Sequence, residues 1–229
     1  IRMVHPKPAS PERAALFAWI MGRPADLERL PAGLQDWLTF KAGCKGPVPD
    51  VPFQMQTQQE LSADHWAALA QSGSWQMVRQ GLNTFLRHGV FDDIANVARV
   101  AALLRDPDRI ARARAFPYQL MVAAQNLASA MPAEIVDALH DAMEIAVRKV
   151  PSVEGSVVVC PDVSASMTWS VTGMRRGASS AVRHVDVAAL VAAAFLRVNR
   201  DCSVLPFENK VREVSLRGRD RILTIAERI

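Results

Sequence analysis

The feature that most constrains this chain is a change of period at Pro151. Before it, apolar residues recur at three-and-four spacing; after it, Ser156-Val-Val-Val-Cys160 forms an unbroken, largely β-branched run. An amphipathic helix buries one stripe at a period near 3.6, whereas a strand covered on both faces reads as continuously apolar. A chain carrying both textures is expected to join a helical array to a parallel α/β sheet. The boundary is placed so that residues 1–150 are helical and residues 151–229 form the α/β part.

Local signals punctuate the helical part. Ser10 can cap a helix that has Pro11 at its first position, and Gly22 stops it. Ser62 opens another helix, closed near Gly73. Trp75, Val78, Leu82, Phe85 and Leu86 make one apolar stripe ending at Gly89, and Asp92 or Asp93 starts a helix through Ile94, Val97, Ala101 and Leu104. Pro117–Ser129 and Pro132–Lys149 each open with a proline. Gly43–Gln59, rich in Pro, Gly and Gln, reads as a long loop. Short helices with brief connections, each burying one face, are expected to stack as an α-solenoid, although the letters show no fixed repeat period. Trp19, Trp37, Trp66 and Trp75 fall on or near apolar faces and are assigned to the core.

Half of the 229 residues are hydrophobic and 22% are charged, which excludes wholesale disorder. A net charge of +4 permits nucleic-acid or anionic partners without requiring them. The longest apolar stretch, Val185–Val198, is broken by Asp186 and Arg197 and is too short to span a bilayer. Cys44, Cys160 and Cys202 have no paired or zinc-like spacing, and two of them sit in apolar runs that suggest buried thiols; a reducing, cytoplasmic setting is expected. The chain opens in mid-pattern and closes in mid-helix, as a piece of a longer protein would.

In the α/β part, the Ser156–Cys160 strand is followed by a loop, an Ala/Val-rich helix from about Val185 to Asn199, and a second strand, Cys202–Phe207. Val211–Ser215 is a candidate third strand, and Arg219–Ile229 begins another helix. The first strand ends in Pro161-Asp162-Val163-Ser164-Ala165-Ser166-Met167. Ligands gather at the carboxyl ends of strands in open α/β sheets, and one carboxylate with two hydroxyls at alternate positions suits a hard divalent ion such as Mg²⁺. Asp and Ser after a strand also cap turns without any ligand. The position, the following Met167 and the later Ala-rich helix make Asp162, Ser164 and Ser166 resemble the metal-ion-dependent adhesion site of von Willebrand A domains. That resemblance implies two further ligands, a Thr and an Asp from later loops. Thr168 and Thr172 lie too close to the first loop to serve, so the ligand set is incomplete here. Trp169 is expected near the site, and Arg175, Arg176 and Arg183 in the loop beyond it; His184 could be structural or functional.

Four stretches, in this order, are similar to the Ro ribonucleoprotein (TROVE) family: Met3-Val4-His5-Pro6-Lys7-Pro8; His65-Trp66-Ala67-Ala68-Leu69 with Gly81–Gly89; Arg112–Leu120; and the helix Glu134–Lys149 running into the strand and Asp-Val-Ser-Ala-Ser-Met. The resemblance implies HEAT-like helical repeats followed by the N-terminal part of a von Willebrand A-like domain. It implies binding of small non-coding, Y-like RNA and of misfolded RNA 3′ ends, and an exoribonuclease or other RNA-processing protein as a partner. His5 and Lys7, in the His-x-Lys-Pro element, are the first candidate RNA contacts. Arg112 and Arg114, in a basic group with Arg105 and Arg109, are the second. The alternative is a metal-dependent protein-interaction module with no RNA role. No catalytic residues are assigned, because no Gly-x-Ser-x-Gly elbow or matched general base accompanies Ser164 and Ser166.

Overall fold

A computed structural model describes residues 7–171 and 182–229, and the chain divides into two compact units, residues 1–69 and 70–229. In the first unit, Ser10 Oγ accepts from Arg13 N and starts α1 (Pro11–Ile20), which ends before Gly22 at φ +69°. A 3₁₀ turn, Leu27–Arg29, leads to α2 (Ala32–Lys41). One helical turn, α3 (Phe53–Gln56), lies inside the stretch expected to be a loop, because Pro52 sets the backbone for a helix start. The start of α4 (Ala63–Ser72) closes the unit. Its core is aromatic: Trp37 stacks on Phe40 at 5.9 Å, and the His65 ring meets Phe40 edge-on at 5.3 Å.

The second unit is built around α5 (Trp75–Arg87), α6 (Ile94–Arg105), α7 (Pro107–Ala113), α8 (Pro117–Gln125) and α9 (Ala133–Val147). Ser74 caps α5, whose stripe of Trp75, Val78, Leu82 and Phe85 is buried while Leu86 is half-buried. Gly89 ends that run at φ +71°, and an added Cβ there would sit 2.8 Å from Asp92 Oδ2. Asp93 caps α6 by accepting from Ala95 N at 2.9 Å. Ile94 sits on the solvent side at 80% exposure, because the first turn of α6 projects past the stripe that Val97, Ala101 and Leu104 bury. Asp106 both ends α6 and caps α7, a helix that the Pro107 stop signal conceals in the sequence. Helix α9 packs on α6, α7 and α8, burying Ile135, Leu139, Met143 and Val147.

Beyond Pro151, β1 (Val157–Val159) pairs in parallel with β2 (Cys202–Val204), joined through α10 (His184–Val198). The molecule is thus mostly helical with a small parallel sheet, the α plus α/β class expected. Helix α10 packs on β2, on α11 (Ile222–Glu227) and on α8 and α9. The sheet departs from expectation in two respects. Val158 is 58% exposed, since α10 leaves the alternate face of a two-stranded ladder open; for the same reason the Cys160 thiol is exposed rather than buried. Val211–Ser215 forms only an isolated bridge between Val211 and Phe207, and Val211 is exposed, so it is no third strand. No described helix is long and apolar enough to cross a membrane.

Candidate functional site

Backbone bonds carry the ladder past the strands proper. Leu205 N donates to Val159 O at 2.9 Å, Phe207 N to Pro161 O at 3.0 Å, and Val163 N to Phe207 O at 2.9 Å. Asp162 is therefore fixed opposite Phe207, at the carboxyl end of both strands. The chain then turns: Ser164 N donates to Asp162 Oδ1 at 2.8 Å, and a 3₁₀ turn begins at Ala165. The Ser164 and Ser166 hydroxyls come within 3.1 Å of each other. Hydrogen bonds from the Ser164 hydroxyl and backbone N–H hold the Asp162 carboxyl below the ordinary carboxylate range, against an opposing pull from burial.

The three residues of the Asp-x-Ser-x-Ser motif are thus brought to one turn, and an ionised carboxylate with two adjacent hydroxyls fits a hard cation. Among the described residues no group of three or more His, Cys, Asp or Glu side chains is placed to hold a metal. An ion at this turn would draw two of its protein oxygens from neutral hydroxyls, which limits its electrostatic hold. Trp169 follows the turn, 62% exposed, and its carbonyl accepts from His184 N at 3.0 Å. Arg183 is paired with Asp186 at 2.7 Å and so is not a free cation. Thr172, Arg175 and Arg176 lie outside the described residues.

The basic group at the α7–α8 junction separates into two kinds of arginine. Arg105 is bound to Asp141 of α9 at 2.7 Å, and Arg109 lies 3.4 Å from Asp106, so both are neutralised. Arg112 and Arg114 are exposed and form no ion pair among the described residues, although Arg112 lies near enough to Asp106 to help hold its carboxyl below the ordinary range. Arg114 takes a left-handed backbone conformation, φ +48°, to end α7. Two residues on, Phe116 is 62% exposed and stacks with Tyr118 at 6.3 Å and 25°. Sequence reasoning missed this aromatic pair; its signal was Phe-Pro-Tyr, where the proline starts a helix and leaves the flanking rings no buried stripe to join. Of the other candidates, Lys7 is exposed in the first unit, and His5 lies outside the described residues.

A second missed residue is Arg79. It stands four residues after Trp75 and three before Leu82, within the apolar stripe of α5, and is only 9% exposed. A cation in a stripe position was the available signal.

No family model and no curated protein matches the chain. Among solved structures, it is similar to the crystal structure of Deinococcus radiodurans RO (RSR) protein, with a TM-score of 0.68 and 22% sequence identity. The match covers 99% of this chain and 49% of that one, so the chain spans about half the length of that protein. The likeness is one of fold, and it extends over both the helical and the α/β elements.

Proposed function

We propose that this chain is part of a non-catalytic RNA-binding protein of the Ro type, with HEAT-like repeats leading into a von Willebrand A-like domain. The observation that carries the reading is the α7–α8 junction: two exposed arginines that form no ion pair among the described residues, beside two stacked, exposed aromatic rings. Guanidinium groups neutralise phosphates, and exposed rings give unpaired bases a stacking surface. The fold likeness to the Deinococcus RO (RSR) protein supports it. Small non-coding, Y-like RNA and the single-stranded ends of misfolded RNA are the proposed ligands, with an RNA-processing nuclease as a proposed partner.

The test is fluorescence anisotropy with a structured RNA across a salt series. Affinity should fall steeply with salt, and Arg112→Ala and Arg114→Ala should each reduce the slope of log K against log salt by about 1. Absence of binding at low salt, or slopes in both variants unchanged from that of the native chain, would overturn the reading.

A second reading has its own observation, the 3.1 Å approach of Ser164 and Ser166 beside the Asp162 carboxylate. Here Mg²⁺ at that turn captures an acidic side chain of a protein partner. Mg²⁺ should then raise the melting temperature of the native chain, and Asp162→Ala should abolish the rise while leaving RNA affinity unchanged. A chain equally stable with Mg²⁺ and with chelator refutes the metal role.

A further inference from the structure

The stripe of α5 faces α8 across a groove of about 350 Å³, and Arg79 lines it with Gln80, Tyr118 and the apolar side chains of Val122 and Leu127. Arg79 Nη1 donates to Gln119 O at 2.9 Å. Its Nε is buried without an acceptor, and Nη2 has none among the described residues. The guanidinium carbon stands 5.9 Å from the centre of the Trp75 ring, which supplies a quadrupole but no countercharge. No carboxylate pairs with Arg79 among the described residues, unlike the half-buried Arg197, which has Glu144 at 2.8 Å. Burial accordingly pulls the Arg79 guanidinium below its ordinary pKa, with the nearby Tyr118 phenol opposing.

An arginine only 9% exposed as a residue, its Nε buried without an acceptor and no carboxylate paired with it among the described residues, is an arrangement that folding alone does not favour, since desolvated charges are kept where something pairs with them. The fixed bond to Gln119 O orients the fork, and the Nη donors left over suit an oxygen-rich anion. Beside them, the Tyr118 ring and the aliphatic wall can carry a flat, weakly polar group. We propose that the α5–α8 groove is a binding site for a phosphate monoester or diester, with the phosphate on Arg79 and an attached base against Tyr118. The site shares the Tyr118 ring with the α7–α8 junction but includes neither Arg112 nor Arg114, and the proposal holds whether or not the chain grips RNA through them.

Calorimetric titration and thermal melts of the chain with inorganic phosphate, adenosine 5′-monophosphate and a short single-stranded oligonucleotide test it, each at ionic strength matched with chloride. Phosphate also stabilises proteins by exclusion from their surface, so the comparison between variants decides. Gln80→Glu changes an exposed groove residue and leaves the core intact; Arg79→Lys keeps the charge and loses the fork. Both should weaken phosphate binding by about tenfold, the scale of one charge-assisted hydrogen bond. Tighter binding of the mononucleotide than of phosphate, lost in Tyr118→Ala, identifies a free nucleotide as the source. Binding confined to the oligonucleotide, with the same Arg79 and Gln80 dependence, identifies a strand phosphate. Absence of saturable binding to the unsubstituted chain, or equal responses in native and Gln80→Glu protein, overturns the proposal. Neither of these last results bears on the salt slopes of the Arg112 and Arg114 variants, so the two readings fail separately.

Discussion

At the residue scale, the chain's arginines are sorted by their neighbours. Arg105 and Arg109 are paired with carboxylates and serve the fold; Arg112 and Arg114, a few residues on, form no ion pair among the described residues. The letters alone presented the four as one cluster, because a carboxylate supplied from α9, as Asp141 is, cannot be read from local spacing. Caps were legible for the opposite reason: Ser10, Asp93 and Gly89 act within one turn of themselves. Asp186 is such a local device. Its carboxylate accepts from Arg183 N at 2.7 Å at the start of α10 and pairs with the Arg183 side chain. Burial opposes its ionisation, yet the bonds from Arg183 hold its carboxyl below the ordinary aspartate value. A depressed folded-state pKa means stability that is complete above the unfolded value, about 3.9, and is lost as pH falls through the lower folded one. Asp186→Asn should therefore cost about 1 kcal/mol at neutral pH, a fall in Tm of about 2–4 °C. The gap between native and variant should close as the pH is taken below the ordinary aspartate value. A gap that persists unchanged in acid would refute this account.

At the element scale, one side chain of α9 ties two elements of the α/β part to it. Glu144 Oε2 accepts from Arg197 Nη1 of α10 at 2.8 Å, and Glu144 Oε1 accepts from Ile222 N, the first amide of α11, at 2.6 Å. Arg197 also reaches the Asp220 carbonyl. Glu144→Ala would strand a half-buried guanidinium and a helix-start amide together, costing about 1–3 kcal/mol, read as a lower urea midpoint at unchanged m-value. Glu144→Gln, still able to accept at its amide oxygen, should lose less. Equal losses in the two variants would show that acceptor geometry contributes nothing. This contact was illegible in the sequence, since its partners are 53 and 78 residues away. The helices and the parallel pairing were legible, since period and β-branching are local. The openness of the sheet was not: a β-branched run states that a strand forms, and the layers around it decide how much of it is covered.

At the scale of the whole molecule, compactness divides the chain at Leu69 and Ala70, whereas its texture changes at Pro151. The helices from α5 onward and the sheet belong to the same compact unit. Native-state hydrogen exchange should find the amides of α9 and α10 opening with the same free energy, as parts of one cooperative unit. Exchange of α10 and β1 well ahead of α9 would contradict it. A carboxylate gripped from two directions acts as a rivet, where a single ion pair would act as a pivot. Helices α10 and α11 can both turn against α9 only by releasing a guanidinium and an amide together, so small tilts are suppressed. A pull on α10 or α11 would thus be passed to α9 through both anchors at once.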